Sequence, residues 1–326
     1  LKEEYVFLKN NPAQHHIYFH QIMKKLLCLL VMIATNLDAQ NVKVTTGKVA
    51  RIINFKSQWV DSRTIDVWLP DGYSESEKYA VLYMHDGQML FDPDATWNKQ
   101  AWKADAVAGK LMAENKTQKF IIVGIANNNA LRHPEYFPQK AFETLSEEDQ
   151  KMVSDILLAQ HKTDREFHPV SDKYLKFIVT ELKPYIDRNF STLTDQKHTF
   201  IAGSSMGGLI SLYAICEYPK VFGGAACLST HWTGIYRNDD NPIPDAFVNY
   251  LKKHLPNKKN HKIYFDHGDQ TLDSLYAPSQ KRVDQVMKDK GFSNQNWTTK
   301  FFPGENHSEV SWNKRLDIPL VFLLGN

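Results

Sequence analysis

Cysteine is scarce in this chain: three residues in 326, none spaced as C-x-x-C. That excludes a thiol redox motif and a cysteine-rich metal site. Cys216 and Cys227 stand in apolar company and are expected to be buried free thiols rather than a disulfide. An excess of one charge is missing as well. The formal net charge is +2, with no long run of one sign, so neither nucleic acid nor a membrane surface is implied as a partner. No internal repeat and no break in composition divides the chain. With 42% hydrophobic and 23% charged residues, it reads as a globular protein with a sizeable core.

An apolar run, Leu26–Ala34, follows Lys24 and Lys25 and is too short to span a bilayer. Small and polar residues come next, ending at Ala39. This layout is that of a secretory signal peptide over 23–39, cleaved near Ala39, which directs the protein to the periplasm or outside the cell. Cys28 lies inside the apolar run rather than at its end, which argues against a lipid anchor. Residues 1–22 have no leader logic and read as an extension upstream of the true start. The folded domain is then 40–326, free of the membrane once the leader is removed.

Strand-like stretches recur at 63–70, 79–87, 119–127, 198–203, 221–229, 262–268 and 297–304. Helical stretches fall between most of them, at 100–114, 172–190, 207–218, 280–290 and 308–324, with Pro184 expected to kink the second. Extra strands over 42–56 are expected to open the sheet in antiparallel fashion. Alternation of this kind predicts an α/β fold, a mostly parallel central sheet with helices on both faces. The segment 128–170 breaks the rhythm and reads as an insertion after a central strand. Arg132 and Tyr136 follow that strand's end, where ligand-facing loops belong, and are candidate pocket residues.

The stretch "TFIAGSSMGGL" (199–209) joins a strand to a helix through a very tight turn. A nucleophile on such a turn requires very small residues two positions before and two after it. For Ser205 these are Gly203 and Gly207; for Ser204 they are Ala202 and Met206, and Met206 is too bulky. The candidate nucleophile is therefore Ser205. A serine nucleophile needs a base, and the base an orienting acid. His307, in "FFPGENHSEVSW" after the last strand, is in the position for the base. His231 and Trp232 follow a strand end and are expected to line the pocket, whereas His254 and His261 flank a basic stretch and are expected to be solvated.

Asp266, Asp269 and Asp273 compete as the acid after the strand "KIYFDHG". Asp266 lies within the strand, and Asp269 sits in "HGDQT", a composition suited to a self-bonded turn. Asp273 falls beyond that turn, where its carboxylate can swing back toward His307, and is preferred. Backbone N–H groups of Met206 and Gln88 are the expected oxyanion donors, Gly87 allowing the turn that faces Gln88 inward. His85 and Asp86 read as a local hydrogen-bonded turn, since no further metal ligands stand at useful spacing.

"VLYMHDGQMLFD", "YLKFIVTELKPYID", "FIAGSSMGGLISLYA", "KIYFDHG" and "PGENHSEVSW" together resemble the putative-esterase family of α/β-hydrolases. That family includes S-formylglutathione hydrolases, enterochelin esterases, family-one carbohydrate esterases and mycolyltransferases. The resemblance runs from about Arg63 to Leu324; Met89 stands where family members often have Asn. It implies a serine esterase working without metal or cofactor. The substrates expected of an exported enzyme are acetyl or feruloyl esters of polysaccharides, with a siderophore ester, or acyl transfer on the same site, as the alternatives. A catalytically dead binding module would be expected to lack Ser205, His307 or the glycines, and none is missing.

Overall fold

A computed structural model describes residues 42–161 and 166–326; the expected leader, the upstream extension and Cys28 lie outside the described residues. Eight strands form one sheet: β1 (Lys48–Phe55), β2 (Arg63–Leu69), β3 (Ala80–His85), β4 (Phe120–Ile125), β5 (Thr199–Ser204), β6 (Gly224–Leu228), β7 (Lys262–His267) and β8 (Trp297–Phe301). Their order is β1-β2-β4-β3-β5-β6-β7-β8. β2 runs antiparallel to β1 and β4, and all remaining neighbours are parallel.

The strands are nearly continuous apolar runs because both faces of the sheet are covered. Side chains alternate between two cores. Val81, Tyr83, Ile121, Val123, Ile201, Cys227 and Phe265 enter one, and Ala80, Leu82, Met84, Ile122, Phe200, Leu228 and Tyr264 the other. A one-residue slip of any strand would exchange its two sets, so the register is strongly specified. The first core is closed by α5 (Ser171–Phe177), α6 (Lys183–Asn189), α7 (Met206–Glu217), α8 (Ile243–His254) and α9 (Ala277–Asp289). The second is closed by α1 (Ala104–Ala113), α10 (Glu309–Arg315) and α11 (Asp317–Leu324). Three further helices, α2 (Arg132–Tyr136), α3 (Gln139–Phe142) and α4 (Glu147–His161), lie in the insertion after β4.

Several local expectations are corrected. Residues 42–47 form no strand, so the antiparallel opening is β1 alone. Pro184 does not simply kink its helix: a π-helical turn, Ile178–Leu182, joins α5 to α6 just ahead of it. Such a turn relieves the clash between the proline ring and the preceding carbonyls. The final helix is two, α10 and α11, meeting at Leu316. Helix α8 was not expected. His261 is buried, within hydrogen-bonding distance of the carbonyls of Asn257 (2.7 Å) and Pro219 (2.8 Å), while His254 is exposed and stacks on Tyr250. Cys216 and Cys227 are buried free thiols, as read from the sequence.

The strand order reverses at β3, which has β4 on one side and β5 on the other. Ligands of open α/β sheets bind at the carboxyl ends of strands beside such a switch point. The loop after β3 and the turn after β5 both emerge there.

Candidate active site

Ser205 sits between β5 and α7 with φ 59° and ψ −124°, a conformation that costs a non-glycine residue about 1–3 kcal/mol. Strand β6, the loop after it and the first turn of α7 hold it there. Its N–H donates to the Leu228 carbonyl (2.9 Å), and its own carbonyl accepts from Gly208 (3.0 Å), Leu209 (3.2 Å) and His231 (3.2 Å). Space explains the first glycine of the motif, because a Cβ on Gly203 would stand 2.8 Å from the backbone of Gly207. Ser204 ends β5 and is buried within the sheet.

Of the three candidate acids, the structure brings Asp273 to His307. His307 Nδ1 donates to Asp273 Oδ1 at 2.6 Å. The second oxygen, Oδ2, accepts from the Gly268 N–H and the Ser229 hydroxyl, each at 2.6 Å. Burial alone would push this carboxyl up; the bonds from His307, Ser229 and Gly268 outweigh it and hold the group below its ordinary value. Asp269 lies on the surface side, where its Oδ1 accepts from the Gly304 N–H across the adjacent loop and from the neighbouring Gln270 Nε2, each at 2.8 Å, rather than from its own turn's backbone. Asp266 is fully buried and paired with Arg315 (3.0 Å).

Ser229 is the junction of this network. Its hydroxyl receives Trp312 Nε1 and Arg315 Nη2, both at 3.0 Å, and donates to Asp273. Helix α10 therefore secures the carboxylate that orients His307. The ring of Trp312 also meets His307 edge-on, with centroids 5.0 Å apart.

Met206 opens α7, and Gln88 lies in a one-turn 3-10 helix, Gly87–Met89. By position neither N–H has an intrahelical acceptor. The left-handed residue of the second turn is Asp86 (φ 56°), not Gly87. Gly87 is needed for a different reason: a Cβ there would fall 2.5 Å from the backbone of Gly124 on β4.

Asp86 is held by the insertion. Arg132 forms a bidentate pair with it (Nε–Oδ1 2.8 Å, Nη2–Oδ2 2.7 Å), and Asn127 donates to Oδ1. Burial would raise the Asp86 carboxyl, but Arg132 and Asn127 bring it below its ordinary value. Helix α2 supplies three inward side chains at i, i+3 and i+4. Arg132 takes Asp86, Glu135 forms a buried pair with Arg63 of β2 (2.7 Å), and the Tyr136 hydroxyl accepts from the Asp86 N–H (3.3 Å). Tyr136 is fully buried, so it supports the turn from beneath rather than lining the pocket. His85, next in the chain, is buried against Tyr174 (2.9 Å), and burial pushes its imidazole down to about 3.

Two cavities meet at Ser205. One, of about 440 Å³, lies against the insertion and is walled by Leu131, Leu157, Phe167, Met206 and His231. The other, of about 530 Å³, contains His307, Gln88, Asn98, Asn127 and Glu309. Ser205, Asn129, Arg132 and Tyr236 border both. His231 is buried and neutral, since burial drives its pKa well below the ordinary value. Its Nδ1 lies 2.8 Å from the Tyr276 hydroxyl, and its Nε2 has no partner among the described residues. Trp232 departs from expectation: it is a core residue, its ring tilted against Phe265 (centroids 5.8 Å apart) and its Nε1 donating to Gln280 (2.9 Å). Sequence reasoning missed Tyr236 and Trp97, both exposed at the cavities. Among the described residues no group of three or more His, Cys, Asp or Glu is placed to hold a metal ion.

This sheet order, with a strained serine after β5 and a histidine after β8, defines an α/β-hydrolase. Residues 58–318 match the Esterase family, described as "Putative esterase", and the chain belongs to that family. It is a carboxylic ester hydrolase. A Bacillus subtilis protein, YbbA, itself uncharacterised, is 24% identical over 272 residues, covering 81% of this chain and 93% of the relative. An endo-1,4-beta-xylanase/feruloyl esterase of Xylanibacter ruminicola is 25% identical over 225 residues, 67% of this chain but only 26% of that longer protein. Among solved structures, a ferulic acid esterase superposes with a TM-score of 0.60 at 19% identity, covering 85% of this chain and 98% of the other. The enterobactin esterase of Shigella flexneri gives 0.60 at 15% identity, covering 87% and 61%. At these identities the structural likeness speaks for the fold.

Proposed function

We propose that the protein is an exported serine esterase whose triad is Ser205, His307 and Asp273. The observation that carries this reading is the 2.6 Å bond from His307 Nδ1 to Asp273, with His307 and Ser205 on one cavity. Asp273 fixes the tautomer, leaving His307 Nε2 unprotonated to accept a proton. Ser205 Oγ attacks the ester carbonyl carbon as its proton passes to Nε2, and the oxyanion accepts hydrogen bonds from the Met206 and Gln88 N–H groups. The C–O bond to the alcohol breaks, and that oxygen takes the proton from His307. Water then repeats the sequence on the acyl-enzyme and releases the acid.

Acetyl or feruloyl esters of polysaccharides are the substrates we favour. Export would place the enzyme where such polymers are met, and relatives in sequence and in fold carry feruloyl and ferulic acid esterase names. The test has two arms. A fluorophosphonate probe should label Ser205, shown by peptide mass spectrometry, with labelling abolished by Ser205→Ala and kept by Ser204→Ala. A hydrolysis panel of acetyl, feruloyl and catecholate siderophore esters should show turnover of the first two. Labelling of another serine overturns the triad, and turnover of the siderophore ester alone overturns the substrate class. Export is tested separately by sequencing the N-terminus of protein from the native compartment, where a start near Gln40 is expected.

A further inference from the structure

The two cavities at Ser205 differ in one respect that decides what each would hold: His307 lines the larger and is absent from the walls of the smaller. In ester cleavage the leaving oxygen takes its proton from the imidazole that received the serine's. Given the esterase reading above, on which this inference rests, the alcohol has to lie on the His307 side and the acyl chain on the other. The walls agree in character. Leu131, Leu157, Phe167 and Met206 face the acyl side, whereas the alcohol side offers the amides of Asn98, Gln100 and Asn127 and the carboxylate of Glu309.

At the rim of the alcohol side stands Trp97, 86% exposed, the most exposed large apolar side chain among the described residues. An indole left in water forgoes the stabilisation that burial would bring. Its loop is not loose. The Asp92 carboxylate accepts from the Asp94 N–H (2.9 Å), and buried Thr96 donates to the Pro93 carbonyl (2.9 Å). On the other flank, Asn98 donates to Glu309 on α10 (2.9 Å) while its own carbonyl oxygen accepts from the Gln100 N–H (3.1 Å). Trp97 thus lines the cleft from a turn braced on both flanks.

We propose that Trp97 is the platform on which a sugar ring of the alcohol lies. A pyranose presents an apolar C–H face that suits an indole, and hydroxyl groups around its edge that suit amides and a carboxylate. Both surfaces are present side by side here. A long aliphatic alcohol would use the indole but not the amides.

The experiment compares kcat/KM for two ester pairs: a feruloylated xylo-oligosaccharide against methyl ferulate, and an acetylated one against ethyl acetate. Wild type, Trp97→Ala and Trp97→Tyr are each assayed. Trp97→Ala should lower the ratio of oligosaccharide ester to simple ester by about 5- to 10-fold, through KM, and Trp97→Tyr should recover most of it. Free xylotetraose should inhibit wild type more strongly than Trp97→Ala. Turnover with the same ratio in all three proteins overturns the platform and leaves the esterase standing. No turnover of either pair by wild type overturns the polysaccharide-ester reading, and this inference with it.

Discussion

Gly203 and Gly207, two residues either side of Ser205, are not equivalent. A methyl group on Gly203 would stand 2.8 Å from the Gly207 backbone, whereas one on Gly207 would meet only side-chain atoms, His85 Cβ at 3.4 Å and an Asp86 carboxylate oxygen at 3.5 Å. Backbone cannot yield as a side chain can, so the elbow's tightness is concentrated on one partner. Gly203→Ala is expected to cost about 2–4 kcal/mol and most activity, through overpacking against a fixed turn. Gly207→Ala should cost under about 1 kcal/mol. Urea unfolding of both variants reads the difference, and equal losses would mean that the turn relaxes.

Asp273→Asn should leave the fold intact and lower kcat by roughly three to four powers of ten, because the imidazole loses its tautomer and its counter-charge. Asp269→Asn should stay within a few-fold of wild type, since an amide oxygen can still accept from Gly304. The reverse ranking in steady-state assays would reassign the acid.

Arg132 neutralises Asp86 in the turn that carries the Gln88 N–H. Arg132→Leu leaves that carboxylate uncompensated and should cost about 2 kcal/mol, less than a fully buried pair because the arginine side chain is partly exposed. Adding Asp86→Asn should restore part of the loss. A double variant no more stable than the single would show that the pair contributes little.

Acid should destabilise the protein well above the carboxylate range. His85 is neutral in the fold with a pKa of about 3, against an ordinary 6.5, so between these values the unfolded chain binds a proton that the native one refuses. Stability is full above about pH 6.5 and falls by about 1.4 kcal/mol per pH unit below it. His231, also shifted down, acts in the same direction. In denaturant titrations, the loss between pH 7.5 and pH 5 should shrink by about 2 kcal/mol in His85→Asn. An unchanged loss would remove His85 from the account.

The strands and the elbow were legible because their signals are local. Apolar runs of β5 and β7 end at glycine, and the spacing around Ser205 is a statement about five adjacent residues. The contact between Asp273 and His307 was legible from the place of Asp273 beyond the turn and from where Asp266 and Asp269 could not point. Helix α8 escaped notice because Pro242 and Pro244 sit at its start, where proline is compatible with a first turn but reads as a loop. The aromatics were the hardest to place. Nothing near Trp97, Tyr136, Trp232 or Tyr236 in sequence says that the first and last are exposed and the middle two buried. The Asp86–Arg132 pair spans 46 residues, and long-range partners of this kind leave no periodic trace.

The bonds from Trp312 and Arg315 to Ser229 have a temporal consequence. Ser229 and Asp273 are synthesised well before the helix that braces them. A growing chain can complete the sheet as far as β8 and already contain Ser205, Asp273 and His307, yet lack the clamp that aims the carboxylate. Until α10 has left the ribosome, the proposed nucleophile has no oriented base behind it. Competence would then arrive late in synthesis and abruptly, which keeps an unfinished esterase silent. Released chains truncated before Trp312 should accordingly resist the fluorophosphonate probe that labels the full chain.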